Sequence, residues 1–348
     1  MEDIRLNVAL LRKRVPNLTS AARAVGLRSA TVSNLCTGKI PVGRAEVRTL
    51  VSLASLANCS LDELILVGER FEMIETGIKS LDLFAPLAKG GNIGLVARPM
   101  MGQLVLLAEL FNRLKKQGFR AILLEPEGTH VGIEDVAGEA NIRCSSVDEV
   151  FAEVKKLGDS CDVILAADRS HVLNNQIYEL QDRLHDAGIA SLTTFLVDLQ
   201  GEAVDEDLPY GPLETLWQLD ADMAARRYFP AVNPIQSTSE IVEGTYVEAQ
   251  HQLIRQKAKK LLRRYKELRF LVQAQGKERL PASEVQTFLR GERLEAYFTQ
   301  PFYVAEPATG KAGVSVTLQE TMQDVQQIMD GAVDQREVDE MMYVGRLA

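Results

Sequence analysis

The chain has 348 residues, 46% of them hydrophobic, and a formal net charge of −9, a globular composition with room for two or three domains. No apolar run approaches the roughly 18 residues that span a bilayer, and the opening MEDIRLNVALLRKRV has neither the apolar region nor the cleavage site of a secretory leader, so a cytoplasmic location and no membrane segment are expected. The four cysteines (Cys36, Cys59, Cys144, Cys161) form no C-x-x-C and the four histidines (His130, His171, His185, His251) show no ligand spacing, so reduced thiols and no metal site are expected.

Charge is divided unevenly. Residues 1–70 carry ten Lys and Arg against six Asp and Glu, a balance of +4, while the rest carries 29 against 42, a balance of −13. Segments so different suggest different partners, and only the basic head suits nucleic acid.

The head reads as a run of short helices. Thr19 is placed to cap a helix over SAARAV, Gly26 to end it in a tight turn, Ser29 to cap ATVSNLCTG, and Gly38 to terminate that helix. Ala21, Ala22, Val25, Leu27, Val32 and Leu35 supply the apolar positions between the two. Over about residues 5–66, LTSAARAVGLRSATVSNLCTGK and the closing LANCSLDEL resemble the lambda-repressor/Cro-like helix-turn-helix family. The resemblance implies a second helix entering the major groove, with Arg28, Ser29, Thr31, Ser33 and Asn34 facing bases or phosphates and Lys39, Arg44 and Arg48 touching backbone phosphate. A small helical module that docks protein fits the same residues. One such head binds DNA weakly, so specific binding calls for a dimer or larger assembly.

Beyond a linker at residues 68–78, apolar runs at Asn92–Ala97, Arg120–Glu125, Asp162–Ala167 and Ser191–Val197 read as strands. Helical stretches between them, such as Val172–His185, argue for an α/β fold with a mainly parallel sheet. After about Gly244 the chain turns helical, beginning with one long helix over YVEAQHQLIRQKAKKLLRRYKELRFLVQAQG. Its basic run (Arg255, Lys257, Lys259, Lys260, Arg263, Arg264, Lys266, Arg269) suits a solvated face or a second nucleic-acid contact.

Five landmarks, ETGIKSLDLFAPLAKGGNIGL, YFPAVNPIQSTSEI, LLRRYKELRFLVQAQG, YFTQPFYVAEPATG and MDGAVDQREVDEMMYVG, occur in the order found in the F-type ATP synthase beta subunit, which the chain resembles over about residues 72–348. The resemblance implies a RecA-like nucleotide-binding domain at 79–243 and a helical C-terminal domain at 244–348. The family's N-terminal β-barrel is absent, and an all-α helix-turn-helix domain, residues 1–67, stands in its place.

Carried over residue by residue, the resemblance marks a damaged site. A nucleoside triphosphate bound with magnesium calls for G-x-x-x-x-G-K-[ST] after the first strand. Here the turn is ARPMMGQL. Arg98, Pro99, Met100 and Met101 fill the loop, Gly102 is kept, Gln103 replaces the lysine and Leu104 the magnesium-binding hydroxyl. Pro99 also removes a backbone N–H from a loop that works through backbone N–H groups. Glu127 falls on the family's water-activating glutamate, but Gly128 replaces the arginine beside it, so Glu127 reads as vestigial. Asp168, closing DVILAAD, falls on the Walker B position, and is equally an ordinary acid at a strand end. Phe229 and Phe302 fall on the rings that stack the adenine, Ala308 replaces a second phenylalanine, and both rings equally suit a packed core. The acidic rotor-facing tip of the family has become GKERLPASEV, nearly neutral. ATP or ADP without tightly held magnesium is the cofactor this leaves open.

Three functions are compatible with these residues. The first is a DNA-binding regulator whose pseudo-ATPase body forms a homo-oligomer, pairs with an alpha-like subunit or senses a ligand. The second is an altered ATPase using Glu127 and Asp168. The third is an assembly module whose head docks protein.

Overall fold

The computed structural model describes residues 3–15, 18–36, 40, 42–68, 72–126, 128, 130–189, 192–205, 209–211, 213–243 and 247–347. The chain divides into two units, one of residues 1–72 with 243–246 and the other of residues 73–242 with 247–348.

In the first unit β1 (Asp3–Leu6) precedes α1 (Val8–Arg14), which opens where Asn7 Oδ1 accepts the Leu10 N–H at 3.0 Å. Then come α2 (Leu18–Ala24), a turn through Gly26 at φ 78°, α3 (Ser29–Cys36), α4 (Val47–Leu56) and α5 (Leu61–Leu64). The last starts in a reciprocal cap between Ser60 and Glu63. β2 (Ile65–Gly68) returns antiparallel to β1, with Leu6 opposite Ile65. This strand pair is absent from the all-α reading of the head.

Leu11, Ala22, Val32, Leu35, Leu53 and Leu64 form the core of this unit. Val25, expected inside, is 45% exposed because it falls in the turn rather than on a helix face. Thr19 lies within α2 rather than ahead of it. Gly38, the expected terminus of the following helix, lies outside the described residues.

The second unit opens with β3 (Met73–Ile74), α6 (Lys79–Phe84) and β4 (Leu87–Ala88), β3 and β4 pairing antiparallel. The main sheet then builds through β5 (Asn92–Val96), α7 (Gln103–Lys116), β6 (Arg120–Leu124), α8 (Ile133–Glu139), β7 (Ile142–Cys144) and α9 (Val147–Leu157). β8 (Val163–Asp168), α10 (Arg169–Leu173), α11 (Gln176–Asp186), β9 (Leu192–Val197), β10 (Thr215–Gln218), α12 (Ala221–Ala225), β11 (Thr238–Ser239) and α13 (Glu240–Glu243) follow. The order across the sheet is β11-β10-β5-β9-β8-β6-β7, parallel except for β11. Among the described residues no sheet closes into a barrel.

All six residues of β8 and of β9 are buried, as strands covered on both faces must be. Side chains alternate between two cores. Ile93, Leu95, Ile164, Ala166, Phe195 and Val197 face Leu107, Leu110 and Phe111 of α7. Val96, Leu165 and Leu196 face Val150 of α9 and Leu180 of α11. The expected helix over Val172–His185 is two helices, α10 and α11, broken at Asn174 and at Asn175, whose φ is 64°.

The C-terminal region supplies α14 (Ala249–Gln275), α15 (Ala282–Tyr297), α16 (Glu306–Thr309) and α17 (Leu318–Asp330). Ile254, Leu262, Leu294, Val325 and Ile328 pack there with Leu83 and Phe84 of α6. Much of the α14 basic run is structural. The buried Arg255 and Lys259 donate to the carbonyls of Phe84 (3.1 Å) and Ser237 (3.2 Å). Arg269 grips Asp222 at 2.7 and 2.9 Å, and Arg264 pairs with Glu284 at 2.7 Å. No helix among the described residues is long and apolar enough to cross a membrane.

An internal ion pair ties α7 to the C-terminal region. Glu109 and Arg113, both buried, meet at 2.6 Å. Glu109 Oε2 accepts the Val304 N–H at 3.0 Å, and Arg113 donates to the carbonyls of Gly77 (3.0 Å) and Val314 (2.7 Å).

Candidate functional site

In open parallel sheets ligands bind beyond the carboxyl ends of the strands. Here those ends carry the turn from β5 to α7, Asp168 at the end of β8, and the loop after β9.

The turn after β5 is closed on itself. Met101 Sδ accepts the Arg98 N–H at 3.3 Å, engaging a donor from the stretch where a phosphate loop presents its N–H groups. Pro99 packs against Gly201 in the loop after β9. Met100 takes φ 67° and is 97% exposed, and Gly102, at φ 90°, caps α7. Gln103 is buried, and the Arg98 side chain stands exposed. Leu104 Cδ1 lies 3.3 Å from where a Cβ on Gly132 would be, so it packs toward the start of α8. Glu127 lies outside the described residues.

Asp168 is committed to holding chain. Its Oδ2 accepts from the Ser170 N–H (2.9 Å) and hydroxyl (2.6 Å), capping α10, and Oδ1 accepts the Leu199 N–H at 3.0 Å. Among the described residues no group of His, Cys, Asp and Glu is arranged to hold a metal ion, and Cys36, Cys59, Cys144 and Cys161 form no disulfide.

Beside the closed turn lies a cavity of about 410 Å³, within the range of small-molecule sites. Phe229, Phe302 and Gly102 all line it, so the structure brings together three residues marked in the sequence. Gly102 sits against the Phe229 ring, a Cβ there falling 3.4 Å from Cε1. Phe229 precedes a cis peptide bond to Pro230, and its carbonyl accepts the Gln300 N–H at 2.9 Å. Ala308 is not among the lining residues, but Ala305 of the same segment is. Arg98, Gln103 and Asp168 do not line the cavity.

Sequence reasoning missed Tyr343, Arg227 and Lys311, which also line it. The Tyr343 hydroxyl donates to the Arg227 carbonyl and accepts the Phe229 N–H at 3.4 Å. Burial pushes the Tyr343 phenol up from its usual pKa, keeping it a donor. Lys311 Nζ sits 4.5 Å above the Tyr343 ring. Tyr343 stands in the quoted landmark MDGAVDQREVDEMMYVG, but nothing local marks it as facing a cavity.

In the head, Arg28, Ser33, Arg44 and Arg48 are exposed, while Ser29, Thr31 and Asn34 are half-buried. Arg23 Nε donates to Ser29 Oγ at 2.6 Å, so that hydroxyl already has a partner. Lys39 lies outside the described residues.

Fold and site together define a RecA-like α/β body with helical additions, in which the turn after β5 is closed and an apolar slot lies open beside it. A solved structure of similar fold is "a unique ATP synthase subunit NeqB" from Nanoarcheaum equitans, 17% identical over 76% of this chain and 77% of that one, with a TM-score of 0.58. The fold is thus ATP synthase-like. No protein-family model matches the sequence.

Proposed function

We propose that the protein is a DNA-binding regulator whose ATP synthase-like body is a pseudo-ATPase, kept for assembly and ligand sensing. The observation that carries the second half is the turn after β5. Its Arg98 N–H is taken by Met101 Sδ, Pro99 packs on Gly201, and Leu104 replaces the magnesium-binding hydroxyl. Phosphoryl transfer is mostly charge stabilisation and positioning, and these substitutions remove both. The first half rests on the basic balance of the head, on the exposure of Arg28, Arg44 and Arg48, and on the helix–turn–helix pattern read in its sequence.

The test is selection of genomic fragments by the full chain, followed by titration at several salt concentrations. Enrichment of a defined site, lost in Arg28→Ala with Arg44→Ala, supports the regulator. Unselective or absent binding refutes it. Turnover of MgATP by the purified chain refutes the pseudo-ATPase.

A second reading is favoured by the fold match alone. NeqB is described as an ATP synthase subunit, and a body of that fold suits assembly with other subunits, copies of itself or an alpha-like partner. A stable stoichiometric complex without DNA affinity favours this reading.

A further inference from the structure

We propose that the cavity beside the closed turn binds a small amphiphilic organic anion, an apolar body with one carboxylate, in place of a nucleotide. The proposal rests on the reading of the body as a pseudo-ATPase and goes on to name the ligand class.

The wall of the cavity favours an apolar body. Met101, Val105, Leu106, Phe229, Pro230 and Phe302 make it predominantly apolar. The polar side chains on it are already engaged. Gln300 Nε2 donates to the carbonyls of Gly77 (2.8 Å) and Val314 (2.7 Å), and its Oε1 accepts the Lys79 N–H at 3.0 Å. The Thr309 hydroxyl donates to the Ala305 carbonyl at 2.9 Å and accepts the Lys311 N–H at 3.3 Å. Reading the edge of a nucleobase calls for placed polar groups, which such a wall spends on itself, whereas an apolar body needs none.

Arg227 and Lys311 line the cavity and are exposed, which places them at its mouth, and no Asp or Glu is among the described lining residues. Two cations facing no acid at the mouth of an apolar slot fit a single anionic head held at the surface while the body is buried. A triphosphate is a poor match, because the turn that would hold it is closed.

Five non-glycine residues among those described have positive φ: Asn58, Met100, Asn175, Arg227 and Tyr343. Asparagine tolerates that conformation. The other three, Met100 (67°), Arg227 (60°) and Tyr343 (53°), all line this one cavity. Such conformations are strained in residues of this kind, and outliers of this sort gather where a ligand is held. The hydrogen bond from the Tyr343 hydroxyl to the Arg227 carbonyl links two of them, fixing the ring under the Lys311 ammonium.

The test is calorimetric titration of the full chain with 2-naphthoate, its neutral amide 2-naphthamide, and MgATP. The expected result is saturable binding of one naphthoate per chain, about tenfold tighter than the amide, a preference set by charge-assisted contacts. Arg227→Gln with Lys311→Gln, both at exposed positions, should reduce the acid to the affinity of the amide. Ala305→Phe, which fills the slot, should abolish binding of both. Equal affinity for acid and amide, or a preference that survives the double variant, overturns the proposal. If neither naphthoate nor MgATP binds, the proposal alone falls. Saturable MgATP binding that displaces naphthoate overturns the proposal, and only turnover of that MgATP overturns the pseudo-ATPase reading as well.

Discussion

The ring of Pro99, in the turn after β5, lies directly against the backbone of Gly201, in the loop after β9. These two loops end neighbouring parallel strands, and the contact closes the space between them. Gly201 has φ 77°, a conformation that disfavours any side chain, and its Cβ position is already taken by Pro99.

Gly201→Ala is therefore expected to destabilise the protein by about 1–3 kcal/mol, combining an unfavourable φ with a forced shift of Pro99. Combining it with Pro99→Gly should recover part of the loss, because one of the two causes is removed. Urea midpoints of the single and double variants check this. Additive losses would show that the two residues do not share a contact.

Lys79 is fully buried in α6, its Nζ donating to the carbonyls of Tyr297 (2.5 Å) and Val344 (2.8 Å) over the Tyr297 ring. Desolvation lowers its pKa to about 7, opposed by the nearby Asp324 carboxylate. Above that pH the unfolded chain keeps a proton that the folded chain has released. This group therefore makes stability rise with pH, by at most about 1.4 kcal/mol per unit, between about 7 and the ordinary lysine value. The check is the difference in urea stability between the wild type and Lys79→Met from pH 6 to 8.5, a range in which tyrosines stay protonated. A difference independent of pH would sink the prediction.

Asp168→Ala removes the cap of α10 and the acceptor of the Leu199 N–H. The expected loss is about 1–3 kcal/mol, the scale of a lost cap plus a donor left without its partner. Asp168→Asn, which keeps an acceptor oxygen, should lose less. Equal loss from the two would indicate that the charge, rather than the hydrogen-bond geometry, is what the fold requires.

If the head binds DNA through Arg28, Arg44 and Arg48, each phosphate contact adds about 0.9 to the slope of log affinity against log salt. Arg44→Ala should then lower the slope by about one and weaken all sequences alike, whereas Arg28→Ala should also relax site preference. An unchanged slope excludes a phosphate contact by Arg44.

The inner strands β5, β6, β8 and β9 were legible in the sequence because burial on both faces makes them apolar runs. β7 and β10 were not: IRC and TLWQ are short and include polar residues, and pairing with distant partners is what makes them strands. β1 and β2 are likewise defined by pairing between residues about 60 positions apart. Charge misled the reading of α14, since Arg255 and Lys259 stand four apart on the buried face and reach backbone carbonyls. Phe229 and Phe302 were found through family resemblance. Arg227, Lys311 and Tyr343 come from three separated stretches, and only the tertiary fold assembles them.

The Glu109–Arg113 pair bears on how the body opens. Drawing the stretch that carries Val304 and Val314 away from α7 would leave the pair itself on α7 but take the Val304 N–H from Glu109 and the Val314 carbonyl from Arg113, a loss of about 1–3 kcal/mol for each buried group left short of a partner. Peeling apart in stages is therefore disfavoured, and the amides in the middle of α7 should exchange with deuterium only when the whole body unfolds. A fragment ending before α14 would lose the Val304 and Val314 partners of that pair, and would behave as a damaged protein rather than as a smaller one.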